Sequence, residues 1–225
     1  IEQAKDIDAQ KDVIKEIDYK YFVEVVGLPK VKSIIDQIAN LCCFLKVSDL
    51  RIMLQPDFLV NFRTASPRNS KKNIMNSRAW IQTAINISKN IDTKLYDAEK
   101  LKGYLPELRS MTVQKPEEFL PRMREIFSEC GVAFVLLPHL KNSGVNGAVK
   151  WVNEDRVVLA MNNRGLDADK FWFSLFHEIK HVLQQKIKTV FVSSTAEEMI
   201  EKNNNLETEA DKFATNYLIP PVEYK

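Results

Sequence analysis

Residues 171–183 read Phe-Trp-Phe-Ser-Leu-Phe-His-Glu-Ile-Lys-His-Val-Leu, and no other segment constrains the fold as strongly. At about 100° per residue, the two histidines fall within about 40° of each other on one side of a helix. The large apolar side chains fall roughly 200–260° from the first histidine, on the opposite side; they are Trp172, Phe176, Ile179 and Leu183. The pattern predicts an amphipathic helix that buries an aromatic face and leaves the histidine pair outside the core.

The histidine pair has the spacing of metal ligands. His177 and His181 are four residues apart, so both imidazoles can reach one metal ion from the same helical face. Glu178 lies about 100° further round, where a carboxylate can act as a general base beside that ion. The chain contains only three histidines, so a chance His-Glu-x-x-His is expected roughly 0.003 times. The alternative of two core histidines is disfavoured, because they lie opposite the apolar face.

A zinc site needs at least a third protein ligand, and the segment 206–218 offers carboxylates. On a helix there, Glu207 lies about 60° from the centre of the apolar face, whereas Glu209 lies about 100° away on the other flank. A carboxylate at the edge of a buried face needs a counter-charge, which a metal supplies. We therefore expect Glu207 to be the ligand and Asp211 to accept a hydrogen bond from a ligand histidine. An ordinary charged helix flank is the alternative for both.

Two histidines and one glutamate leave a fourth coordination position for water, which is typical of catalytic rather than structural zinc. This set predicts zinc-dependent peptide hydrolysis, with Glu178 taking the proton of the attacking water and passing it to the leaving amine. Manganese or iron would accept the same ligands. The third histidine, His139, follows Pro138 at a predicted strand end. It is a candidate donor to the transition-state oxyanion, with an ordinary loop histidine as the alternative.

The composition excludes several classes of protein. The chain has 225 residues, of which 45% are hydrophobic and 28% charged, and its net charge is +2; these are ordinary values for a globular protein. No apolar run approaches the roughly 18 residues of a membrane span, so we expect no membrane partner. The odd cysteine count, with Cys42, Cys43 and Cys130, favours a reducing compartment and predicts a cytoplasmic protein.

Hydrophobic periodicity predicts an α+β fold. Helical spacing covers 11–54, 75–89, 93–105, 116–130, 167–185 and 206–218, and strands are predicted within 131–138, 147–152 and 156–161. We therefore expect an all-helical N-terminal linker or interaction region over 1–110. A small zinc-peptidase domain over 111–225, with a short sheet, would follow it.

The segments 171–181, 207–214 and 218–220 together resemble the ImmA/IrrE family of metallopeptidases. The resemblance covers about residues 111–225 and implies a zincin-like fold. By it, His177, His181 and Glu207 would bind zinc and Glu178 would be the general base. Lys180 stands where the family commonly has glycine before the second histidine.

Members of that family often accompany, or are fused behind, a repressor-like (XRE-type) helix-turn-helix module. Some cleave a partner repressor and so activate stress or toxin–antitoxin genes. The resemblance therefore implies an endopeptidase whose protein substrate is a helix-turn-helix repressor or an antitoxin. Region 1–110 is similar to the linker of the fused forms, so DNA contact is expected only through an N-terminal module missing from this chain.

Two other functions stay open at this point. The first is a non-hydrolytic transcription regulator or antitoxin component, whose metallopeptidase-like domain acts as a sensor or binds a partner. The second is a helical interaction module with incidental metal affinity. Glu178 favours the enzyme, because a pure sensor has no need of a general base.

Overall fold

A computed structural model of the chain describes residues 10–55, 71–162, 167–184 and 196–219. Within these ranges the protein is mixed α+β, mostly helical with one three-stranded sheet. The predicted α+β class is confirmed at this level. The described residues form two compact units: the first comprises those up to Ile87 together with Leu137–Val145, and the second comprises Ser88–Leu136 and those from Asn146 onward. The predicted division into functional domains near residue 110 stays a prediction.

The first unit is helical, as its apolar spacing predicts. It contains α1 (Tyr19–Val26), α2 (Ile34–Leu45), a 3-10 turn (Leu50–Leu54) and most of α3 (Lys71–Ser88). Helix α1 ends at Gly27, whose φ of 74° is a left-handed conformation that glycine adopts without strain. The core residues of the first unit are buried almost completely. Among the largest are Phe22, Leu41, Leu45, Leu50, Met53 and Trp80.

The segment 137–145 belongs to this first unit because its backbone is hydrogen-bonded there. The carbonyl oxygen of Pro138 accepts one hydrogen bond from the hydroxyl of Tyr21, at 2.8 Å. It accepts a second from the indole N–H of Trp80, at 3.0 Å. The segment therefore separates β1 from β2 in sequence without adding to the sheet.

The second unit contains four helices among its described residues, which are α4 (Ala98–Ser110), α5 (Pro116–Glu129), α6 (Ala168–Leu183) and α7 (Ala196–Leu218). Its core combines apolar residues from the helices and the sheet, including Leu105, Phe127, Phe134, Leu159, Phe176 and Ala214. Gly131 links α5 to β1 with φ at 77°, and a Cβ there would lie 2.3 Å from the backbone of Tyr96. That position therefore requires glycine.

The sheet contains β1 (Val132–Leu137), β2 (Gly147–Asn153) and β3 (Arg156–Asn162), in the order β1-β3-β2. Strands β2 and β3 are antiparallel, with Gly147 opposite Met161 and Asn153 opposite Arg156. The three predicted strands are therefore present with nearly the expected bounds. Strand β1 is buried along almost its whole length, which explains its continuous apolar sequence.

Helix boundaries differ most from the periodicity at two places. The helix expected over 93–105 begins at Ala98 and continues to Ser110, because the Asp97 carboxylate caps it by accepting the N–H of Lys100. The helix expected over 206–218 begins ten residues earlier, at Ala196. Residues 201–205, directly before Leu206, are all polar, so the apolar spacing is interrupted there and did not extend the predicted helix further back.

Across the described ranges, no helix has both the length and the apolar character that crossing a bilayer requires.

Candidate metal centre

Helix α6 presents the two histidines because its other side packs into the core. Trp172, Phe176 and Ile179 are almost completely buried, and the rings of Trp172 and Phe119 lie 4.9 Å apart. On the opposite side, His177 and His181 are half-buried. The hydrophobic effect thus fixes the rotation of α6 and leaves both imidazoles at its boundary with solvent.

Helix α7 packs against α6 and brings the third candidate ligand to the histidines. Ala210 and Ala214 are fully buried, and their small side chains let the two helices approach closely. The rings of Phe176 and Tyr217 stack at 5.5 Å and fix the register between α6 and α7. This register places Glu207, one turn before Ala210, directly at the histidine pair.

Three side chains form one group of potential ligand atoms. The Nε2 atom of His177 lies 3.2 Å from Oε2 of Glu207, Nε2 of His181 lies 3.5 Å from Oε1 of Glu207, and the two Nε2 atoms lie 3.0 Å apart. In tetrahedral zinc sites, ligand bonds of about 2.0–2.1 Å put the ligand atoms roughly 3.4 Å from one another. The group His177, His181 and Glu207 could therefore hold a metal ion with little rearrangement.

The outer nitrogen of each histidine has an acceptor oxygen beside it. Nδ1 of His177 lies 2.8 Å from Oδ1 of Asp211, and Nδ1 of His181 lies 2.9 Å from Oε1 of Gln184. Both oxygens accept, so each Nδ1 carries a proton, and Nε2 is then the atom of each ring that can offer a lone pair to a metal ion. Such partners orient a ligand ring and raise its basicity.

The orientation of the Gln184 amide follows from its other neighbours. Its Nε2 group donates to the carbonyl oxygen of Leu206, at 3.4 Å, and to Oε2 of Glu209, at 3.2 Å. Neither of these oxygens can donate, so the amide nitrogen must face α7 and the amide oxygen must face His181. Gln184 thereby connects the end of α6 to the part of α7 that carries Glu207.

Carboxylates make this part of the molecule attractive to a positive charge. Burial lowers the pKa of His177, but the hydrogen bond that the ring donates to Glu207 and the charges of Glu178 and Glu207 outweigh it, and the pKa rises above its ordinary value. The hydrogen bond to Asp211 contributes in the same direction. The surroundings therefore favour a cation at the histidine pair, which a proton or a metal ion can supply.

Glu178 lies against the start of β2 and is outside the group of potential ligands. A Cβ built on Gly147 would lie 2.6 Å from Cγ and 3.0 Å from Oε1 of Glu178, and 2.9 Å from Sδ of Met161. Real Cβ atoms do not approach other atoms so closely, so glycine provides the space that the Glu178 side chain occupies. Half-buried and one residue after His177, Glu178 is available for proton transfer.

Sequence reasoning missed the roles of Gly147 and Gln184. The spacing of Gln184, three residues after His181 on one helix, is a signal that could have identified it. Nothing in the local sequence distinguishes Gly147 from other strand glycines, because its role depends on a neighbour 31 positions away in the chain.

Glu209 is exposed and lies outside the group, with its Oε2 atom 3.4 Å from Nζ of Lys180. Lys180 stands at the position where the resemblance leads us to expect glycine, and its ammonium lies 6.0 Å from the ring centre of Phe213. It therefore occupies the surface between α6 and α7 rather than the face that carries the histidines.

His139 belongs to the first unit, whereas the other candidate residues belong to the second. It is not a member of the group formed by His177, His181 and Glu207, and its role as a transition-state donor stays a prediction. Pro220, which contributes to the family resemblance, lies outside the described residues.

Comparisons with family models, with curated proteins and with solved structures found no match for this chain. The resemblance to ImmA/IrrE metallopeptidases therefore rests on the motif residues quoted above.

Proposed function

We propose that this chain is a zinc-dependent endopeptidase of the ImmA/IrrE type. The proposal rests on one observation: His177, His181 and Glu207 each have a potential ligand atom, and these atoms lie within 4.8 Å of one another. Glu178 follows the first histidine on the same helix. Two imidazoles and one carboxylate are the donor set of catalytic zinc in peptidases, and purely structural zinc sites usually have four protein ligands.

The residues present fit a zinc ion. The nitrogen and oxygen donors have the separations that tetrahedral coordination requires, and Asp211 and Gln184 hold both ring tautomers so that Nε2 faces the group. Zinc, when bound, supplies a Lewis acid that polarises the scissile carbonyl and makes water more acidic. The choice of zinc rests on ligand type alone, and manganese and iron accept similar donors.

Glu178 is proposed as the general base and then the general acid. Its carboxylate takes a proton from the attacking water and later delivers it to the leaving amine, which completes hydrolysis without another titratable group. The glycine at position 147 leaves this side chain room beside β2. A site that served only to bind a metal ion would not need a further carboxylate such as Glu178 next to the ligand group.

The proposed substrate is a regulatory protein, a helix-turn-helix repressor or an antitoxin, and it is inferred from the family resemblance. The proposed compartment is the cytoplasm, because all three cysteines are free thiols and disulfides are rare there. DNA contact through a separate helix-turn-helix module is part of the same proposal.

The test uses purified protein, zinc and the repressor-like or antitoxin-like proteins encoded next to its gene. We expect cleavage with zinc, none after a chelator is added, and recovery when zinc is restored. Glu178→Gln should slow cleavage about 10²–10⁴-fold, the usual contribution of a general base, while zinc binding stays nearly unchanged. Cleavage that resists the chelator, or a native rate in Glu178→Gln, would exclude this mechanism. Tight partner binding without cleavage would favour the non-hydrolytic regulator.

A further inference from the structure

A groove of about 920 Å³ opens in the second unit. Its volume is at the upper end of the roughly 300–1,000 Å³ of ordinary ligand pockets. Its walls come from the end of α4, the 3-10 turn Met111–Val113, the start of α6 and the end of α7. The lining residues that carry the argument below are Val113, Asn146, Trp172, Phe173, Leu218 and Ile219.

The groove adjoins the candidate metal centre at two points. Phe173 lines the groove one helical turn before His177, and the centres of the two rings lie 6.4 Å apart. Asn146 also lines it and directly precedes Gly147, whose backbone lies against Glu178. A chain that lies along the groove therefore reaches both a candidate ligand and the candidate base.

Apolar side chains in the groove are exposed to water. The exposed fractions are 90% for Val113, 49% for Ile219 and 38% for Phe173. These are three of the seven large apolar side chains that are exposed among the described residues. Clustered exposed apolar groups mark binding surfaces more often than scattered ones do.

The charges of the groove do not select a charged ligand. Arg109 and Lys170 line it together with Asp169, and Nζ of Lys170 lies 2.5 Å from a carboxylate oxygen of Asp167. Charged groups of both signs therefore line the groove. The apolar side chains of the groove, Val113, Phe173 and Ile219, are therefore the feature that can discriminate between ligands.

We propose that the groove receives a large aliphatic or aromatic side chain of an extended polypeptide whose backbone continues past His177 and Glu178. The substrate class is then a peptide segment with such a side chain near the bond that is cut. This inference rests on the proposed peptidase function and adds to it the chemistry that selects the segment.

The test captures peptides in the groove by disulfide exchange in the metal-free full chain. Val113→Cys places a thiol at the groove, and Leu95→Cys places one at another exposed apolar position, 72% exposed, outside the groove lining. Both carry Cys43→Ser, which removes the exposed native thiol. The probes are tripeptide disulfides that differ in one residue, which is Leu, Phe, Asp or Gly. Mass spectrometry measures the captured fraction under a thiol buffer.

We expect Val113→Cys to retain the Leu and Phe peptides about tenfold over the Asp and Gly peptides, as partial burial of a large apolar side chain predicts. Leu95→Cys should retain all four within about twofold, and adding Phe173→Asp to Val113→Cys should abolish the preference. Equal capture at the two positions, or a preference that survives Phe173→Asp, would overturn the inference. Since capture needs no metal, selective capture without hydrolysis would reject only the peptidase, and hydrolysis with unselective capture would reject only the groove.

Discussion

Nδ1 of His177 lies 2.8 Å from Oδ1 of Asp211, and this hydrogen bond joins α6 to α7 on the side opposite the ligand atoms of the group. The Asp211 side chain is 59% exposed, whereas that of His177 is 17% exposed. The carboxylate therefore costs little to desolvate while it fixes the orientation of a largely buried ring. Glu207 and Asp211, one turn apart on α7, thus contact the two nitrogens of the same imidazole.

Asp211→Ala is expected to weaken zinc binding about 10- to 100-fold, the usual effect of removing the outer partner of a ligand histidine. The loss arises because the ring can rotate and its Nε2 atom becomes less basic. The zinc affinity of Asp211→Asn should lie between those of the native protein and of Asp211→Ala, because asparagine retains an acceptor oxygen but not the charge. Competition with a chromophoric chelator measures the affinity. Lys212→Ala, at the adjacent exposed position, is the control, and an unchanged affinity in Asp211→Ala would show that the contact does not support the metal.

Glu207→Gln and Glu209→Gln form a matched pair, two residues apart on α7. Only Glu207 belongs to the group of potential ligands, whereas Glu209 is exposed and contacts Lys180 and Gln184. Glu207→Gln should weaken zinc binding by more than the roughly 10- to 100-fold loss of an outer partner. Glu209→Gln should change it only a few-fold, through Gln184. The same chelator competition decides, and equal effects of the two substitutions would contradict the assignment of Glu207.

The sequence predicted the elements of the second unit well because their patterns are local. The amphipathic phase of 171–183 sets the rotation of α6, and the apolar run of 131–138 is a buried strand. The phase of 206–218 also separates Glu207 from Glu209, which lie on different flanks in the structure. In each case the burial of one face determines how the element packs, and the spacing of the apolar residues indicates which face that is.

Other features depend on contacts that spacing does not contain. Residues 201–205 of α7 are all polar, so spacing gives no helical signal there, although the helix continues through them. The segment 137–145 returns to the first unit through the carbonyl of Pro138, which two distant side chains bind. Gly147 matters because Glu178 lies against it. The contacts of Pro138 and Gly147 are long-range, and a single sequence gives no signal of them.

The three cysteines are expected to react in the order of their exposure. Cys43 is exposed, Cys42 is half-buried and Cys130 is buried. Burial is the largest cause that raises the pKa of Cys130, to about 11, so only about one thiol in a thousand is a thiolate at pH 8. Because the folded pKa is raised, native labelling should increase about tenfold per pH unit up to about 11.

Iodoacetamide labelling at pH 8, followed by peptide mass spectrometry, measures the three rates. Cys43→Ser should remove the fast phase and leave the others unchanged. In guanidinium the three rates should converge, because unfolding removes the burial. Labelling of Cys130 in the folded protein as fast as that of Cys43 would refute this order.

Gly147→Ala should displace the Glu178 side chain and leave metal binding nearly unchanged. The added methyl group has no room, since its carbon would lie 2.6 Å from Cγ of Glu178 and 2.9 Å from Sδ of Met161. Overpacking of this kind destabilises by about 1–3 kcal/mol. A displacement of Glu178 by roughly 1 Å should reduce the proposed hydrolysis about 10²-fold, while zinc affinity should stay within about twofold because none of the three candidate ligands is among the atoms nearest to the added methyl group.

Gly103→Ala is the matched control, because a Cβ at that position in α4 would meet nothing within 4 Å. It should stabilise the protein by about 0.5–1 kcal/mol, as alanine does in place of glycine inside a helix. Thermal unfolding of the two variants should therefore shift in opposite directions. If Gly147→Ala lost zinc affinity in proportion to its loss of hydrolysis, the methyl group would act on the whole site, and the specific role of Gly147 in placing Glu178 would be wrong.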